Sequence, residues 1–317
     1  MNGSDLKIVI AGRNGQLAWE TSRQFQGLGQ VICVGRPEFD LLDIDGMRSK
    51  ISRIKPSILV NAAAYTAVDQ AESEPEVAMK INSDAPAAMA EEAKRLGALF
   101  ITYSTDYVFD GKSPSPYKED DPTAPLNVYG ASKLSSERAV AAVEGSYLIF
   151  RTSWVYGARG KNFLKTILKL AAERPELRIV DDQIGAPTWS RDLAGATRKI
   201  IEQLVKKSSA EKISIADSLG DRSGIYHMTA AGIVSWYGFA TVIMEEMKRR
   251  GLSKNNVAEV IPIPSSQYPT SAVRPHNSRL CNQKLSNVFG VSLPPWREAL
   301  TTVMNELANE PLMPVKA

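Results

Sequence analysis

The first half of the chain alternates short apolar runs with segments of helical length. The runs are continuously apolar and rich in β-branched residues, as are strands that are buried on both faces of a sheet. They lie at Lys7–Ala11, Val31–Val34, Ser57–Ala62, Ala98–Thr105 and Tyr147–Arg151. The helical segments lie at Gln16–Leu28, Glu74–Leu96 and Val128–Val143. This alternation predicts an α/β fold, a doubly wound parallel sheet whose strands are joined by right-handed crossovers.

The second half of the chain is less regular. The predicted helices there are Asn162–Glu173, Arg191–Lys206, Ser235–Arg250 and Pro295–Asn309. The predicted strands are Gly224–Thr229 and Val257–Pro264. The length of 317 residues suits one large or two modest domains. Because no long flexible linker separates the halves, we expect them to pack closely around a cleft.

The composition argues against several classes of protein. Lys and Arg number 38 against 35 Asp and Glu, and this near-balance argues against a polybasic partner of nucleic acid or of a membrane surface. No apolar run approaches the roughly 18 residues that a membrane span needs. The opening MNGSDLKIVIAG lacks a signal-peptide pattern, and the two cysteines, Cys33 and Cys281, do not make a disulfide framework. We therefore expect a cytoplasmic protein.

A glycine-rich turn directly follows the first predicted strand and opens the first helix. It places Gly12 and Gly15 before Gln16 and Leu17, with Ala18 three residues after the second glycine. Glycines let the backbone approach a pyrophosphate, and the start of a helix offers unpaired N–H groups. Such turns also close ordinary strand–helix junctions, but the position in the first βα unit predicts a dinucleotide-binding, Rossmann-type sheet.

The end of the second predicted strand bears on the choice of cofactor. An acidic residue at this point would bind an adenosine ribose and repel a 2′-phosphate. The strand ends instead with Val34, Gly35 and Arg36. Arg36 is either a solvated surface side chain or a contact for the 2′-phosphate. NADPH is therefore the predicted preference, with NADH as the alternative.

A tyrosine and a lysine stand four residues apart near the start of a predicted helix. This spacing places Tyr129 and Lys133 on one helical face, where the ammonium is expected to lower the phenol pKa from its usual value near about 10. Such a phenol can exchange a proton with a carbonyl or alcohol oxygen. Ser104 and Thr105 end the fourth strand, and we expect one of these hydroxyls to lie beside the same oxygen.

Matching segments along nearly the whole chain point to a family. The segments are GRNGQLAWE, LVNAAAYTAVDQAESEPE, NSDAP, YSTDYVFDG, PLNVYGASK, IFRTSWVYG, DDQIGAPT, YHMTAAG and YPTSAVRPHNSRL. On these segments the chain resembles the extended short-chain dehydrogenase/reductase family, and within it the dTDP-4-dehydrorhamnose reductases. The combination of STDYVFDG, the tyrosine–lysine pair and RTSWVYG is specific to that subfamily.

The resemblance implies roles for individual residues. It implies a catalytic triad of Thr105, Tyr129 and Lys133. The cofactor contacts that it implies, beside the glycine loop, are Gly15, Gln16, Leu17, Asp40, Leu41, Ala63, Ala64 and Tyr65. Asp106 and Trp154 match positions near the nucleotide sugar. Arg274 is either a contact for the diphosphate of the substrate or a surface arginine.

The same resemblance implies a reaction. NADPH would reduce the C4 ketone of dTDP-4-dehydro-6-deoxy-L-mannose to dTDP-L-rhamnose, a step of carbohydrate biosynthesis. Tyr129 would protonate the oxygen, Thr105 would polarise it, and Lys133 would orient the ribose of the cofactor. We expect residues 1–156, with 191–228, to form the dinucleotide-binding domain. Residues 157–190 and 229–317 are expected to form a smaller, mixed C-terminal domain that binds the nucleotide sugar.

One departure from the family concerns a metal. Some members bind Mg²⁺ at a dimer contact through a glutamate of the first helix and two acids of a later helix. Glu20 keeps the first position, but Arg191 and Gly195 occupy the other two. One carboxylate is too few for a hard divalent cation. We therefore predict that the Mg²⁺ site is lost, which puts the metal-bridged dimer of the family in doubt, and that Glu20 can pair with Arg191 instead. A homodimer of another kind stays an open alternative.

Two other functions compete with this interpretation. A non-catalytic NADP-binding regulatory subunit would share the fold, but it would have no reason to keep Thr105, Tyr129 and Lys133 together. An enzyme of the same fold could act as reductase or epimerase on another nucleotide sugar, and the sequence does not exclude it.

Overall fold

A parallel six-stranded sheet organises the computed structural model, which describes residues 6–252 and 258–309. The strands are β1 (Lys7–Ala11), β2 (Gln30–Val34), β3 (Ile58–Asn61), β4 (Leu99–Thr105), β5 (Tyr147–Thr152), β6 (Val155–Tyr156), β7 (Glu176–Val180), β8 (Ile184–Gly185), β9 (Thr188–Trp189), β10 (Gly224–His227), β11 (Val234–Ser235) and β12 (Glu259–Ile263). The order in the large sheet is β2-β1-β3-β4-β5-β10, and every neighbouring pair is parallel. The predicted doubly wound fold is confirmed.

Helices cover both faces of this sheet. They are α1 (Gln16–Gln24), α2 (Ile44–Ile54), α3 (Val68–Ala71), α4 (Pro75–Met79), α5 (Ala85–Leu96), α6 (Val128–Ala142), α7 (Phe163–Glu173), α8 (Ser190–Glu211), α9 (Ile215–Leu219), α10 (Trp236–Arg249), α11 (Gln283–Phe289) and α12 (Trp296–Asn309). One apolar core lies between the sheet and α1, α8 and α11, and a second lies between the sheet and α2, α5 and α6. Strands buried on both faces explain the continuously apolar runs.

A smaller lobe has its own core. Helices α7, α10 and α12 pack there around aromatic side chains that include Phe239 and Trp296. Its strands form two-stranded pairs, β7 with β12 and β8 with β11. No helix within residues 6–252 and 258–309 is long and apolar enough to cross a membrane.

The sixth strand of the large sheet comes from far along the chain. After β5 the chain enters the smaller lobe, returns through α8 and then adds β10 beside β5. Helix α11 also returns to the sheet, where Leu285 and Phe289 join the core beside α8. The segment predicted to belong wholly to the second domain thus contributes to the first core, and the division into two domains stays a prediction.

Several elements differ from the sequence prediction. The predicted helix Glu74–Leu96 contains a π-helical turn at Lys80–Asp84, between α4 and α5. Helix α2 was not predicted, although Asp43 caps it by accepting from the Gly46 amide at 3.0 Å. Strand β12 lies within the predicted Val257–Pro264, of which Val257 lies outside the described residues.

Candidate active site

A cleft of about 720 Å³ follows the carboxyl ends of the parallel strands. Its lining includes every residue that was predicted to contact the cofactor. These are Gly12, Gly15, Gln16, Leu17, Arg36, Asp40, Leu41, Ala63, Ala64, Tyr65, Tyr129 and Lys133. Four further candidates, Thr105, Asp106, Trp154 and Arg274, lie outside this lining. The cleft therefore gathers the predicted cofactor contacts, and the predicted sugar contacts lie elsewhere.

The glycine loop brings its backbone to one end of the cleft. Gly12 has φ near 107°, and a Cβ there would lie 3.0 Å from the carbonyl oxygen of Ala62. The loop is held because Gly12 and Arg13 donate their backbone N–H groups to the Val34 carbonyl at 2.9 and 3.1 Å. Gly15 is the N-cap of α1 and makes no side-chain cap. The loop and the start of α1 therefore form an anion site of the type that binds pyrophosphate.

Two arginines flank the end of β2. Arg36 is exposed, and Arg13 donates to its carbonyl at 3.1 Å and to the carboxylate of Glu38 at 2.9 Å. The prediction that no acid lies here missed Glu38. Hydrogen bonds from the backbone and from Arg13 lower the pKa of Glu38, so this carboxylate is ionised and paired. Arg13 is paired with Glu38, whereas Arg36 makes no ion pair within the described residues, so its positive charge favours a phosphate at this end of the cleft.

The π-helical turn holds the loop after β3. Its Asn82 is fully buried, accepts from the Tyr65 amide at 2.8 Å and donates to the Tyr65 carbonyl at 3.1 Å. The same side chain donates to Ser132 of α6 at 3.0 Å. Single π-helical turns are frequent at functional sites. This turn links Tyr65 to the helix that carries Tyr129 and Lys133.

Tyr129 and Lys133 both face the cleft from the first turns of α6. The helix starts where Asn127 accepts from the Gly130 amide at 2.8 Å. The Tyr129 ring meets Tyr107 edge to face, with ring centroids 5.8 Å apart. Both residues thus line one cleft, as their spacing on the helix predicts.

Thr105 and Asp106 form a hydrogen-bonded pair beside Tyr129. The Thr105 hydroxyl donates to Asp106 Oδ1 at 3.0 Å and accepts from the Tyr107 amide at 3.2 Å. The other oxygen of Asp106 has no hydrogen-bond partner among the described residues. Burial raises the pKa of Asp106 to about 6, although the nearby hydroxyls of Ser278 and Thr105 oppose this shift. Asp106 is thus a buried carboxyl with one oxygen that can accept a further hydrogen bond.

The phenol of Tyr129 is less acidic than expected. Burial raises its pKa to about 12, the carboxylate of Asp106 adds to the increase, and the Thr105 hydroxyl opposes it. The lowering expected from Lys133 is not seen in the chain alone, where desolvation and the charge of Asp106 raise the phenol pKa. Tyr129 is fully protonated at neutral pH, and this is the form that donates a proton.

Lys133 is only 3% exposed, and burial lowers its pKa to about 8, while the charge of Glu137 opposes that shift. Within the described part of the chain, nothing accepts a hydrogen bond from its Nζ. The Lys133 amine is therefore mostly protonated at neutral pH, and the resulting ammonium can donate to a bound molecule.

Trp154 has an unusual backbone and a closely packed ring. Its φ of 49° is rare for a bulky side chain and marks local strain. The indole stacks on Trp236 with ring centroids 3.5 Å apart and planes 8° apart. A Cβ on Gly185 would lie 2.7 Å from the same indole. Trp154 is thus clamped by the smaller lobe, and the sequence did not predict the part that Trp236 plays.

Arg274 is engaged in an ion pair. It donates to both carboxylate oxygens of Asp69 at 3.0 and 2.7 Å, and to the Ala272 carbonyl at 2.7 Å. Asp69 lies on α3, so the pair joins the late loop to the sheet side of the cleft. Arg274 is therefore neither a solvated surface arginine nor freely available to a diphosphate.

The predicted pairing of Glu20 with Arg191 is confirmed. Arg191 donates to Glu20 at 3.0 and 3.2 Å and also pairs with Glu306 of α12. Its guanidinium lies between the two carboxylates. The residues present therefore do not fit the divalent cation of some family members, and no cluster of three metal-ligating side chains occurs in the residues described.

Two hydroxyls of the cleft lack partners. Ser104 of β4 and Thr152 of β5 line it, and each hydroxyl is buried without a hydrogen-bond partner in the described ranges. A buried polar group normally has a partner. The sequence analysis considered Ser104 only as an alternative to Thr105 and missed Thr152, whose position at a strand end was the available signal.

The comparisons with known proteins agree with one another. The family model described as the RmlD substrate binding domain matches residues 6–309. A dTDP-4-dehydrorhamnose reductase of Burkholderia thailandensis is 46% identical over 306 residues, which cover 96% of this chain and 100% of that protein. The enzyme of the same name from Escherichia coli K12 is 42% identical over 310 residues, covering 95% of this chain and 98% of the relative.

A crystal structure shows the same fold. It is described as the dTDP-4-dehydrorhamnose reductase of Bacillus anthracis in complex with NADP. The TM-score is 0.82 at 33% sequence identity, and the match covers 95% of this chain and 99% of that one.

Proposed function

The chain belongs to the family described as the RmlD substrate binding domain, and from that membership we propose that it is an NADPH-dependent dTDP-4-dehydrorhamnose reductase. It would reduce the C4 ketone of dTDP-4-dehydro-6-deoxy-L-mannose and release dTDP-L-rhamnose. The observation that carries the proposal is the position of Tyr129 and Lys133 in the same cleft as the glycine loop. A dinucleotide and a proton donor thereby meet at one edge of the sheet.

The cleft fits the proposed cofactor. The approach of Gly12 to Ala62 leaves no room for a side chain, so the backbone itself would face the pyrophosphate. Arg36 would meet the 2′-phosphate, and Asp40 and Leu41 would lie near the adenosine. The loop Ala63–Tyr65 would cover the middle of the molecule. The relative from Bacillus anthracis, which was crystallised with NADP, supports this assignment.

Three residues of the chain, Tyr129, Lys133 and Thr105, would have separate roles in the reduction. When bound, NADPH supplies the hydride. Tyr129 donates its proton to the C4 oxygen, so that the ketone becomes an alcohol. Lys133 donates to the ribose, and its positive charge favours the phenolate that Tyr129 leaves behind. Thr105 would donate to the same C4 oxygen after its hydroxyl breaks the hydrogen bond to Asp106.

The proposed contacts for the nucleotide sugar are Asp106, Trp154 and Arg274. One oxygen of Asp106 has no partner among residues 6–252 and 258–309, and we propose that it accepts a hydrogen bond from the sugar. Trp154 would pack against the sugar with the part of its indole that Trp236 leaves uncovered. Arg274 would bind the diphosphate after it releases Asp69.

An assay tests the whole proposal. Purified protein is mixed with NADPH and enzymatically made dTDP-4-dehydro-6-deoxy-L-mannose, and NADPH absorbance and the sugar product are followed together. We expect one dTDP-L-rhamnose for each NADPH consumed. NADPH binding without turnover would favour a regulatory subunit, whereas turnover restricted to another nucleotide sugar would identify a different reductase.

A further inference from the structure

A buried arginine contacts the predicted catalytic helix. Arg151, in strand β5, donates to both carboxylate oxygens of Glu137 on α6, at 2.9 and 2.7 Å. Both side chains are almost fully buried, at 3% and 2% exposed. The guanidinium also donates to the Glu119 carbonyl at 3.2 Å and lies over the ring of Phe109. The proposed reaction gives this ion pair no role.

Glu137 stands one helical turn beyond the predicted catalytic lysine. Residues four apart on a helix are surface neighbours, so Tyr129, Lys133 and Glu137 follow one another along α6. The charge of Glu137 acts on Lys133, yet the ammonium makes no hydrogen bond to that carboxylate. A buried lysine beside a buried glutamate would ordinarily pair with it, because each charge is costly without a partner.

The bidentate contact explains why the two do not pair. Arg151 engages both oxygens of Glu137 in the planar geometry that guanidinium and carboxylate share. The carboxylate is thereby neutralised and held away from the cleft. Lys133 lines the cleft together with Tyr129.

We propose that Arg151 is a positioning residue, which sequesters Glu137 so that Lys133 stays available to the cofactor ribose and to Tyr129. The inference rests on the proposed function for the role of Lys133, but the competition between two cations for one carboxylate is a property of the chain itself. It also gives the arginine of the RTSWVYG segment a part in the site.

Few other titratable groups face this cluster. His227 of β10 lies 3.5 Å from the Arg151 guanidinium, and burial together with that charge lowers its pKa to about 3, so it is neutral. Glu119 accepts from the His227 backbone N–H at 2.8 Å, and its charge is not among those that shift the pKa of Lys133. Asp106 acts on Tyr129. The charge that changes the titration of Lys133 is therefore that of Glu137.

Three variants distinguish a positioning role of Arg151 from a purely stabilising one. Arg151→Gln releases Glu137, which then captures Lys133. Glu137→Gln removes the carboxylate and leaves Lys133 without its attraction. The double variant Arg151→Gln/Glu137→Gln removes both charges, and it keeps the test possible if the first variant does not fold, because removing one partner of a buried ion pair is strongly destabilising. Arg249→Gln, which breaks an exposed ion pair with Glu246 on α10, is the matched control.

The readout is the titration of Lys133 Nζ by NMR on lysine-labelled protein, with Lys133→Met as the assignment standard. This measurement requires neither NADPH nor a sugar. We expect the pKa, about 8 in the unaltered chain, to rise in Arg151→Gln, to fall in Glu137→Gln and to stay near its original value in the double variant. Folding of each variant is checked by circular dichroism and thermal unfolding.

NADPH affinity, followed by fluorescence, gives a second readout. Arg151→Gln should weaken binding by about tenfold to a hundredfold, the range for losing one charge-assisted hydrogen bond, and the double variant should recover most of it. The inference is overturned if the double variant titrates and binds like Arg151→Gln, or if Lys133 titrates alike in all folded variants. Failure of the sugar assay alone would overturn the proposed function and leave this result standing.

Discussion

The cleft lining, which is the predicted cofactor side, and the predicted sugar contacts outside that lining, the predicted sugar side, differ in how their polar groups are used. On the cofactor side, the start of α1 carries no side-chain cap, and Ser104 and Thr152 have hydroxyls without a partner in the described chain. On the sugar side, Arg274 is bound to Asp69 and Trp154 is stacked on Trp236. The first side presents these groups to a ligand, whereas on the second side Arg274 and Trp154 are already engaged by other residues of the protein.

This difference has consequences for binding. A preformed site spends little of its binding energy on reorganisation. A site whose groups are already paired must exchange those contacts for new ones, so its observed affinity is reduced by the cost of the exchange. We therefore expect NADPH to bind readily to the chain alone and the nucleotide sugar to bind with a measurable cost. The predictions below test that division, beginning with the residue at which the two sides meet.

Tyr129→Phe should produce the largest effect. Loss of the proton donor should lower kcat by about 10²–10⁴-fold, the usual contribution of general acid catalysis, while NADPH still binds. Single-turnover kinetics and NADPH fluorescence check both parts. Turnover close to that of the unaltered chain would remove Tyr129 from the chemistry, and loss of NADPH binding would mean that the phenol supports the cofactor side instead.

Arg274→Ala should act on the sugar side only. Loss of a charge-assisted contact to the diphosphate should raise KM for the sugar by about 10–100-fold, with the NADPH Kd unchanged. Asp69→Asn is the informative counterpart, because it removes the competing charge and leaves Arg274 in place. This variant should lower the sugar KM. A rise in KM in both variants would show that the ion pair itself holds the site in shape.

Arg36→Ala should have a smaller effect, on the cofactor side. Arg36 is exposed, and exposed ion pairs contribute about 0.2–1 kcal/mol, so KM for NADPH should rise by at most about fivefold. KM for NADH should not change, since NADH lacks the 2′-phosphate. Steady-state kinetics with both cofactors provide the comparison, and equal effects would show that Arg36 does not discriminate between them.

Removal of metal should have no effect. The guanidinium of Arg191 lies between Glu20 and Glu306, where a cation would need both carboxylates. Protein treated with EDTA should therefore match protein with added Mg²⁺ in turnover and in sedimentation. Dissociation or inactivation by EDTA that Mg²⁺ reverses would show that other acids of the chain hold the metal.

Local patterns were enough to predict most of the cofactor side. Strand β1 and the glycine loop are continuous in sequence, and the spacing of Tyr129 and Lys133 follows from helical geometry. The Asp69–Arg274 and Glu137–Arg151 pairs depend on which distant elements meet, and neither periodicity nor composition reports that. The raised pKa of Tyr129 has the same origin, because burial and the proximity of Asp106 are properties of the packed molecule.

The π-helical turn and α2 were missed for a different reason. The turn lies inside a segment whose Ala and Met spacing is helical throughout, so the pattern alone predicts one continuous helix. Helix α2 is short and rich in charged residues, and only its N-cap, Asp43, marked its start. Both elements depend on packing against α5 and the sheet more than on their own propensity.

Strand β10 comes late in the sequence, so the six-stranded sheet can be completed only after most of the chain has been synthesised. A nascent chain that has reached residue 156 holds five of the six strands, with β5 as an open edge and without α8 or α11 to cover one face. Because the missing pieces follow up to about residue 290, the nucleotide-binding half must wait for nearly the whole chain. Unpaired strand edges and uncovered apolar faces promote aggregation. A chain that stops at residue 156 should therefore be recovered as insoluble protein, because the first half of the sheet folds only after the later elements β10, α8 and α11 have been synthesised.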